Sequence, residues 1–253
     1  MQLSEQWVLV TGGARGLGQS ITRALAREGA GVVINYLHSD AAAQALAEEL
    51  GPRALALQAD VTDAAAVQRL FAQVRERTGQ PISAVVNNAL AQFRFDGDAR
   101  PQIGDITWQR FAQQLEGAVK GALNTTQAAL PAMREQGVGR IVNVGTNRFE
   151  NPVVPYHDYT AAKAALLSFT RTAANDLGQH GITVNMVSGG LLRTTDASSA
   201  TPEAVFDLIA SMTPLRRVTT PQEFADAVLF FLSPWARAVT GQNLIVDCGL
   251  VKG

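Results

Sequence analysis

The sequence predicts a single α/β domain with a doubly wound parallel sheet of about seven strands and helices on both faces. Short apolar runs rich in valine and isoleucine alternate with helical segments along all 253 residues. A glycine-rich turn follows the first apolar run and opens a helix. The chain shows no repeat, no linker-like run and no second compositional regime, which favours one domain over two.

Composition excludes several classes of protein. Hydrophobic residues make up 47% and charged residues 17%, which favours a large core over disorder. A net charge of -1 argues against a nucleic-acid partner. We see neither a membrane-spanning run nor a signal peptide. The single cysteine, Cys248, fits a reducing cytoplasm, and the histidines lack metal spacing, so we expect a cytoplasmic protein without a metal site.

The first strand is predicted over residues 7–11 and the first helix over residues 19–29. Between them, Gly12, Gly16 and Gly18 permit a tight turn and let the backbone approach a pyrophosphate. The helix N-terminus adds free N–H groups and a positive dipole. This order of strand, glycine turn and helix predicts a dinucleotide site, and a glycine-rich turn without a ligand is the alternative.

The end of the second predicted strand, residues 31–36, bears on the choice of cofactor. Folds that select NAD usually place an acidic residue there, against the ribose hydroxyls. Tyr36 takes that place, and Arg15 in the glycine loop suits a 2′-phosphate. Both residues favour NADP(H), although a solvated loop arginine is the alternative interpretation of Arg15.

The later elements continue the alternation. Helical residues 108–136 are expected to form two segments that meet near Gly117. Polar side chains such as Asp60 and Asn88 fall at strand ends, where parallel sheets bind ligands. The predicted strands cover residues 54–58, 82–89, 139–146, 181–187 and 243–247, and the other predicted helices cover residues 40–50, 156–169 and 222–232 and one that ends at residue 77.

Two irregular stretches lie on the ligand side of this predicted sheet. In residues 90–106, Phe93 and Phe95 either line a substrate pocket or pack against the domain. Residues 195–215 hold a polar stretch and a short helix, which is typical of a substrate lid.

Tyr159 and Lys163 are spaced to lie on one helix face, one turn apart. A phenol has a pKa near 10, so it is a poor acid–base group at neutral pH. A neighbouring ammonium favours the phenolate and lowers that pKa. The spacing occurs by chance in many helices, so the rest of the chain must decide its meaning.

Four motifs occur together in order: Thr11-Gly12-x-x-x-Gly16-x-Gly18, Asn87-Asn88-Ala89, a strand-end hydroxyl at Thr146, and Tyr159-x-x-x-Lys163. This combination resembles the short-chain dehydrogenase/reductase family over the whole chain, and its 3-oxoacyl-acyl-carrier-protein reductase-like members in particular. The resemblance implies a Rossmann fold, NADP(H), and a small carbonyl or alcohol substrate. It also implies a homotetramer, in which helices over residues 118–133 and 158–177 pair with their copies through Ala122, Ala165 and Ala173.

The resemblance also implies roles for single residues. Tyr159 would give a proton to the carbonyl oxygen, Lys163 would hold the nicotinamide ribose and lower the tyrosine pKa, and Thr146 would bind the substrate oxygen in place of the usual serine. The implied cofactor contacts are Gly12, Arg15, Gly16, Leu17, Gly18, Tyr36, Asp60, Val61, Asn88, Ala89, Tyr159, Lys163, Gly190, Leu192 and Thr194.

Several positions depart from the family pattern. Leu90 and Gly189 replace a usual glycine and proline, and Ala118 replaces an asparagine that anchors a water in a proton relay. Gly137 and Asn175 are uncharged where carrier-binding reductases often have basic residues, which weakens the case for a carrier-bound substrate. A non-catalytic dinucleotide-binding sensor or assembly protein is therefore the alternative to an enzyme.

Overall fold

The computed structural model of the chain describes residues 1–90, 99–193, 195 and 198–252. Its strands are β1 Trp7–Val10, β2 Gly31–Tyr36, β3 Ala54–Gln58, β4 Ala84–Asn87, β5 Gly139–Thr146, β6 Ile182–Gly189 and β7 Asn243–Val246. Within the described ranges these seven strands form one sheet in the order β3-β2-β1-β4-β5-β6-β7, with every neighbouring pair parallel. The predicted doubly wound sheet is confirmed, and its order reverses between β1 and β4, where such folds bind ligands.

Helices cover both faces of the sheet. Their bounds are α1 Gly16–Arg27, α2 Asp40–Leu50, α3 Ala64–Thr78, α4 Trp108–Leu115, α5 Gly121–Gln136, α6 His157–Leu177, α7 Glu203–Met212 and α8 Pro221–Leu232. Alternate strand residues point to opposite faces. Val8 and Val10 of β1 therefore pack with α1, α2 and α8, while Leu9 packs with α3, α5 and α6. Burial on both faces explains why the strands are continuous apolar runs in the sequence.

Several boundaries differ from the sequence prediction, and two of these differences at the ligand edge bear on the site. Helix α1 begins at Gly16 instead of residue 19, because the glycines form its first turn. Strand β4 ends at Asn87, whereas the prediction ran to residue 89. The N–H groups of Asn88 and Ala89 turn away from the sheet, and each donates to the Thr11 hydroxyl at 2.9 Å.

The expected junction near Gly117 is a π-helical turn over Glu116–Lys120, between α4 and α5. A π-helical turn inserts extra backbone into a helix and is frequently found at functional sites. Here it places Ala118 at the border of a small cavity that Lys163 also borders. Phe93 and Phe95, in the predicted substrate loop, lie outside the described residues.

A buried chain of polar side chains joins α5, β4, β5 and α6. The Thr125 hydroxyl donates to Asn87 Oδ1 at 2.6 Å, and Asn87 Nδ2 donates to Asn143 Oδ1 at 2.8 Å. Asn143 Nδ2 then donates to the Thr170 hydroxyl at 2.8 Å. All four residues are buried. Because an unpaired polar group is costly in such surroundings, this chain fixes the register of both helices against the sheet.

One detail of the predicted assembly is wrong. Ala122 is only 2% exposed and packs with Leu166, Leu167 and Met186 of its own protomer, so it cannot contact a copy of the chain. Its neighbour Leu123 is instead 38% exposed. The helix surface open to a partner is therefore rotated by one residue from the prediction.

Candidate active site

A cavity of about 1070 Å³ opens at the carboxyl ends of the strands. Small-molecule sites usually span roughly 300–1,000 Å³, so this cavity is large enough for a dinucleotide together with a substrate. Its lining includes every sequence-predicted site residue that the structure describes: Gly12, Arg15, Gly16, Leu17, Gly18, Tyr36, Asp60, Val61, Asn88, Ala89, Thr146, Tyr159, Lys163, Gly190 and Leu192. The remaining predicted residue, Thr194, lies outside the described residues.

The glycine turn forms a cradle at one end of the cavity. Gly12 and Gly16 adopt left-handed backbone conformations, with φ of 61° and 53°. A Cβ at Gly18 would lie 2.1 Å from the Gly12 carbonyl oxygen, so a side chain there would force the backbone to move. The N-cap of α1 is Arg15, whose side chain has only donors and cannot cap the first N–H groups. The cradle therefore presents backbone donors and a helix N-terminus, which fit the pyrophosphate of a dinucleotide.

Two polar residues hold this cradle: Thr11, which opens the glycine motif, and Asn35, which the sequence reasoning did not single out. The Thr11 hydroxyl accepts from the chain after β4, while Asn88 Nδ2 donates to the Thr11 carbonyl at 2.9 Å. Asn35 Nδ2 donates to the Ala59 carbonyl at 3.0 Å, and its backbone carbonyl accepts from Gly13 at 2.9 Å. Asn35 interrupts the apolar run of β2, and such a polar residue inside a buried strand is a sequence signal for this role.

Tyr36 lines the cavity at the end of β2. Its hydroxyl donates a hydrogen bond to the Asp40 carboxylate at the start of α2. The hydrogen bond to Asp40 raises the pKa of Tyr36, and burial adds to the effect. The first carboxylate after β2 is thus engaged by Tyr36, and Leu37, His38 and Ser39 complete this wall of the cavity.

Lys163 is buried behind the other end of the cavity. Its ammonium group donates to the Val144 carbonyl oxygen at 2.6 Å and lies 6.0 Å from the ring centre of Tyr159. Burial disfavours a charged ammonium and lowers the pKa of Lys163 to about 8. The lysine therefore carries its charge at neutral pH but loses it readily in mildly alkaline solution.

The hydroxyls of Thr146 and Tyr159 neighbour each other at the surface of the cavity. Burial raises the pKa of Tyr159, and the Thr146 hydroxyl and the Arg148 charge oppose that rise. The resemblance implies that Lys163 lowers this pKa, but the burial of the phenol outweighs nearby positive charge and the pKa is raised. Arg148 was missed by the sequence reasoning, although a cation two residues after a strand-end hydroxyl is a visible signal.

Ala118, which replaces the expected relay asparagine, borders a small cavity of about 10 Å³. Asn87 and Lys163 also border it. This volume is close to the lower limit for holding one water molecule. The alanine therefore leaves a polar space beside the lysine.

Within the described ranges, no helix is long and apolar enough to cross a membrane. The same part of the chain contains no cluster of histidine, cysteine and acidic side chains that could hold a metal ion.

Comparison with known proteins identifies the family. A family model described as enoyl-(acyl carrier protein) reductase matches residues 12–251, which is nearly the whole chain. The chain belongs to the short-chain dehydrogenase/reductase family. Members of this family are oxidoreductases that use a nicotinamide dinucleotide, which agrees with the glycine cradle described above.

Similar proteins carry different substrate names. The 3-oxoacyl-acyl-carrier-protein reductase FabG of Staphylococcus aureus is 33% identical over 96% of both chains. The (3R)-3-hydroxyacyl-CoA dehydrogenase of Canis lupus familiaris is 33% identical over 99% of this chain and 98% of its own. The crystal structure of a gluconate 5-dehydrogenase from Burkholderia cenocepacia, in complex with NADP and tartrate, has a TM-score of 0.88 and 29% identity, covering 98% of this chain and 96% of its own. The chain therefore resembles 3-oxoacyl-acyl-carrier-protein reductases. The names of these relatives differ from one another in the acyl carrier and in the substrate.

Proposed function

We propose that this short-chain dehydrogenase/reductase is an NADPH-dependent carbonyl reductase that converts a ketone, with a 3-oxoacyl compound as one candidate, to an alcohol. The observation that carries this proposal is the pair of neighbouring hydroxyls, Thr146 and Tyr159, in the same cavity as the glycine cradle. The names of the relatives support it, since both act on a 3-oxoacyl or 3-hydroxyacyl group.

Each residue has a chemical task in this reaction. Thr146 donates a hydrogen bond to the substrate oxygen and holds it beside Tyr159. Because its pKa is raised, Tyr159 is protonated at neutral pH and has the proton that the product alcohol needs. NADPH, when bound, supplies the hydride that the carbonyl carbon accepts. The phenolate that Tyr159 then becomes is stabilised by the Arg148 and Lys163 cations until solvent returns the proton.

The preference for NADPH over NADH rests on the cradle and on the end of β2. Arg15 lines the cavity beside the glycine turn, and its planar guanidinium matches the oxygens of a 2′-phosphate. Tyr36 stands where an acidic residue would repel that phosphate. The NADP in the gluconate 5-dehydrogenase complex supports the same choice.

We also propose that the enzyme is a cytoplasmic homotetramer. The single cysteine, Cys248, supports a reducing compartment. Exposed apolar side chains on the α4–α5 side, among them Trp108 at 74% and Leu123 at 38%, support association through these helices.

The test is a panel of ketones, β-keto esters and oxo acids, followed by the loss of NADPH absorbance. The wild-type protein should reduce at least one of them, and Tyr159→Phe should lose roughly 10²–10⁴-fold in kcat/KM. NADPH affinity, measured by fluorescence, should barely change, because the substitution removes one hydroxyl. Tight NADPH binding without turnover of any substrate would favour the non-catalytic sensor, and near-wild-type turnover by Tyr159→Phe would refute the assigned proton donor.

A further inference from the structure

Two arginine side chains approach the same buried aromatic ring at the substrate end of the cavity. The Arg148 guanidinium carbon lies 5.4 Å from the ring centre of Tyr156, and that of Arg100 lies 6.0 Å from it. Both distances are within the range of cation–π attraction. Tyr156, Arg100 and Arg148 line the cavity together with Thr146 and Tyr159. One wall of the substrate space is therefore cationic.

Arg148 is tied to the residues that handle the substrate oxygen. It lies on the 3-10 turn Asn147–Phe149, directly after β5. Its backbone N–H donates to the Thr146 hydroxyl at 3.3 Å, and its side chain donates to the Val154 carbonyl at 3.5 Å. The Arg148 charge also acts on Tyr159. An anion held by Arg148 would consequently lie close to the oxygen that Tyr159 protonates.

The electrostatics at this wall favour an anionic ligand. Burial lowers the pKa of Arg148, Tyr159 and Tyr156 oppose that fall, and the charge of Arg100 adds to it, yet an arginine remains charged at neutral pH. A bound anion would interact favourably with both of these cavity-lining charges.

We propose, on the basis of the reductase function above, that the substrate carries a carboxylate within a few bonds of its carbonyl group. Arg148 binds that carboxylate, with Arg100 beside it. A planar guanidinium matches the two oxygens of a carboxylate, which gives both attraction and orientation. The substrate class is thus a free oxo acid instead of a neutral ketone or an acyl thioester, whose carboxyl carbon is uncharged.

The carboxylate takes no part in the bond changes. The hydride and its electron pair add to the carbonyl carbon, the C=O double bond becomes a single bond, and the Tyr159 proton passes to the oxygen. NADPH becomes NADP⁺, and solvent reprotonates the phenolate. Arg148 would position the substrate while Thr146 and Tyr159 hold the reacting oxygen.

Matched pairs of substrates test this proposal: acetoacetate against methyl acetoacetate, and 2-oxobutyrate against its methyl ester. For at least one pair, the wild-type kcat/KM for the acid should exceed that for the ester by roughly 10- to 100-fold, the usual effect of a charge-assisted hydrogen bond. Arg148→Gln should abolish that preference, mainly through the KM of the acid. Arg148→Lys should keep part of it, because the charge remains but the planar fork is lost. Arg171→Gln, at an exposed position of α6, is the matched control and should keep the wild-type ratio.

A second measurement separates failure of this proposal from failure of the proposed function. Calorimetry with malonate, a non-reducible carboxylate, on the NADPH-bound protein should show binding that Arg148→Gln weakens roughly 10- to 100-fold. Equal turnover of acid and ester overturns the carboxylate proposal and leaves the reductase intact, as does an equal loss for both substrates in Arg148→Gln. Malonate binding that depends on Arg148 without any turnover supports the anion site and overturns the reductase. If neither substrate turnover nor Arg148-dependent malonate binding is observed, the carboxylate proposal and the reductase proposal are both overturned.

Discussion

The Lys163 ammonium lies 2.6 Å from the carbonyl oxygen of Val144, and both residues are buried. This single charge-assisted hydrogen bond holds the lysine in place but does not replace the hydration that the ammonium loses on folding. Protonation of Lys163 and stability of the fold are therefore coupled.

We expect a pH-dependent difference in stability between the wild-type protein and Lys163→Met. The folded pKa of Lys163 is about 8, whereas an unfolded lysine has a pKa of about 10.4. Between these two pH values the unfolded chain holds a proton on Lys163 that the folded chain has lost, so the free energy of unfolding rises with pH. This contribution to stability is complete above the unfolded pKa and is lost as pH falls through 8. From pH 7.5 to pH 9.5 the wild-type free energy of unfolding should rise by about 2 kcal/mol relative to the variant.

Urea unfolding at several pH values measures this difference. Lys252→Met provides the control, because Lys252 is an exposed residue near the C-terminus and has no comparable burial. A constant difference between wild type and Lys163→Met across this pH range would contradict the lowered pKa.

Thr146 should contribute a hydroxyl that its methyl group cannot replace. Thr146→Val keeps the shape and should lose on the order of 10²–10³-fold in kcat/KM. Thr146→Ser keeps the donor and should remain active. The two hydroxyls are proposed to hold one oxygen, so Thr146→Val combined with Tyr159→Phe should lose less than the product of the single losses.

Full activity in Thr146→Val would require a different donor for the substrate oxygen. Two neighbouring polar residues are already engaged: Asn147 Nδ2 donates to Asp247 at 2.9 Å, and the Ser188 hydroxyl donates to Asn243 at 2.7 Å. Arg148 would then be the next residue to examine.

The Gly18→Ala substitution should damage the glycine cradle. Its Cβ would meet the Gly12 carbonyl at 2.1 Å, so the loop must move. We expect the free energy of unfolding to fall by about 1–3 kcal/mol and NADPH affinity to fall at least about tenfold. Gly178→Ala is the control, since a Cβ at Gly178 meets nothing within 4 Å. Wild-type NADPH affinity in Gly18→Ala would show that the dinucleotide does not use this turn.

Arg15→Ser should weaken NADPH binding roughly 10- to 100-fold and leave NADH binding nearly unchanged, because only NADPH carries the 2′-phosphate. Fluorescence titration with both cofactors measures the ratio, and exposed Arg77 supplies the control variant Arg77→Ser. The single substitution is cleaner than one combined with Tyr36→Asp, which would place a second carboxylate near Asp40. Equal affinities for NADH and NADPH in the wild type would refute this role of Arg15.

Light scattering should report a tetramer, and Leu123→Glu should reduce its mass, since a charge on an apolar contact is unfavourable to bury. Leu123→Ala keeps the surface uncharged and should associate more strongly than the glutamate variant. A monomeric wild type at working concentration would exclude the assembly and with it the interface on α5.

Local patterns were enough to predict the sheet, the glycine turn and the Tyr159–Lys163 pair, because each depends on residues close together in sequence. Contacts that depend on strand order were not predictable in the same way. Asn35 reaches the glycine turn only because β2 lies beside β1, and Arg148 reaches Tyr159 only because β5 delivers it beside α6. The sign of the pKa shift at Tyr159 also depended on burial depth, which spacing alone does not give.

The buried polar chain through Thr125, Asn87, Asn143 and Thr170 bears on how this protein could acquire a new substrate. A change to any of the four would leave its partners unsatisfied and shift the helix that carries Tyr159. Val153, by contrast, lines the mouth of the cavity and is 67% exposed. A laboratory library for altered specificity should therefore be concentrated at the mouth and should leave this chain untouched.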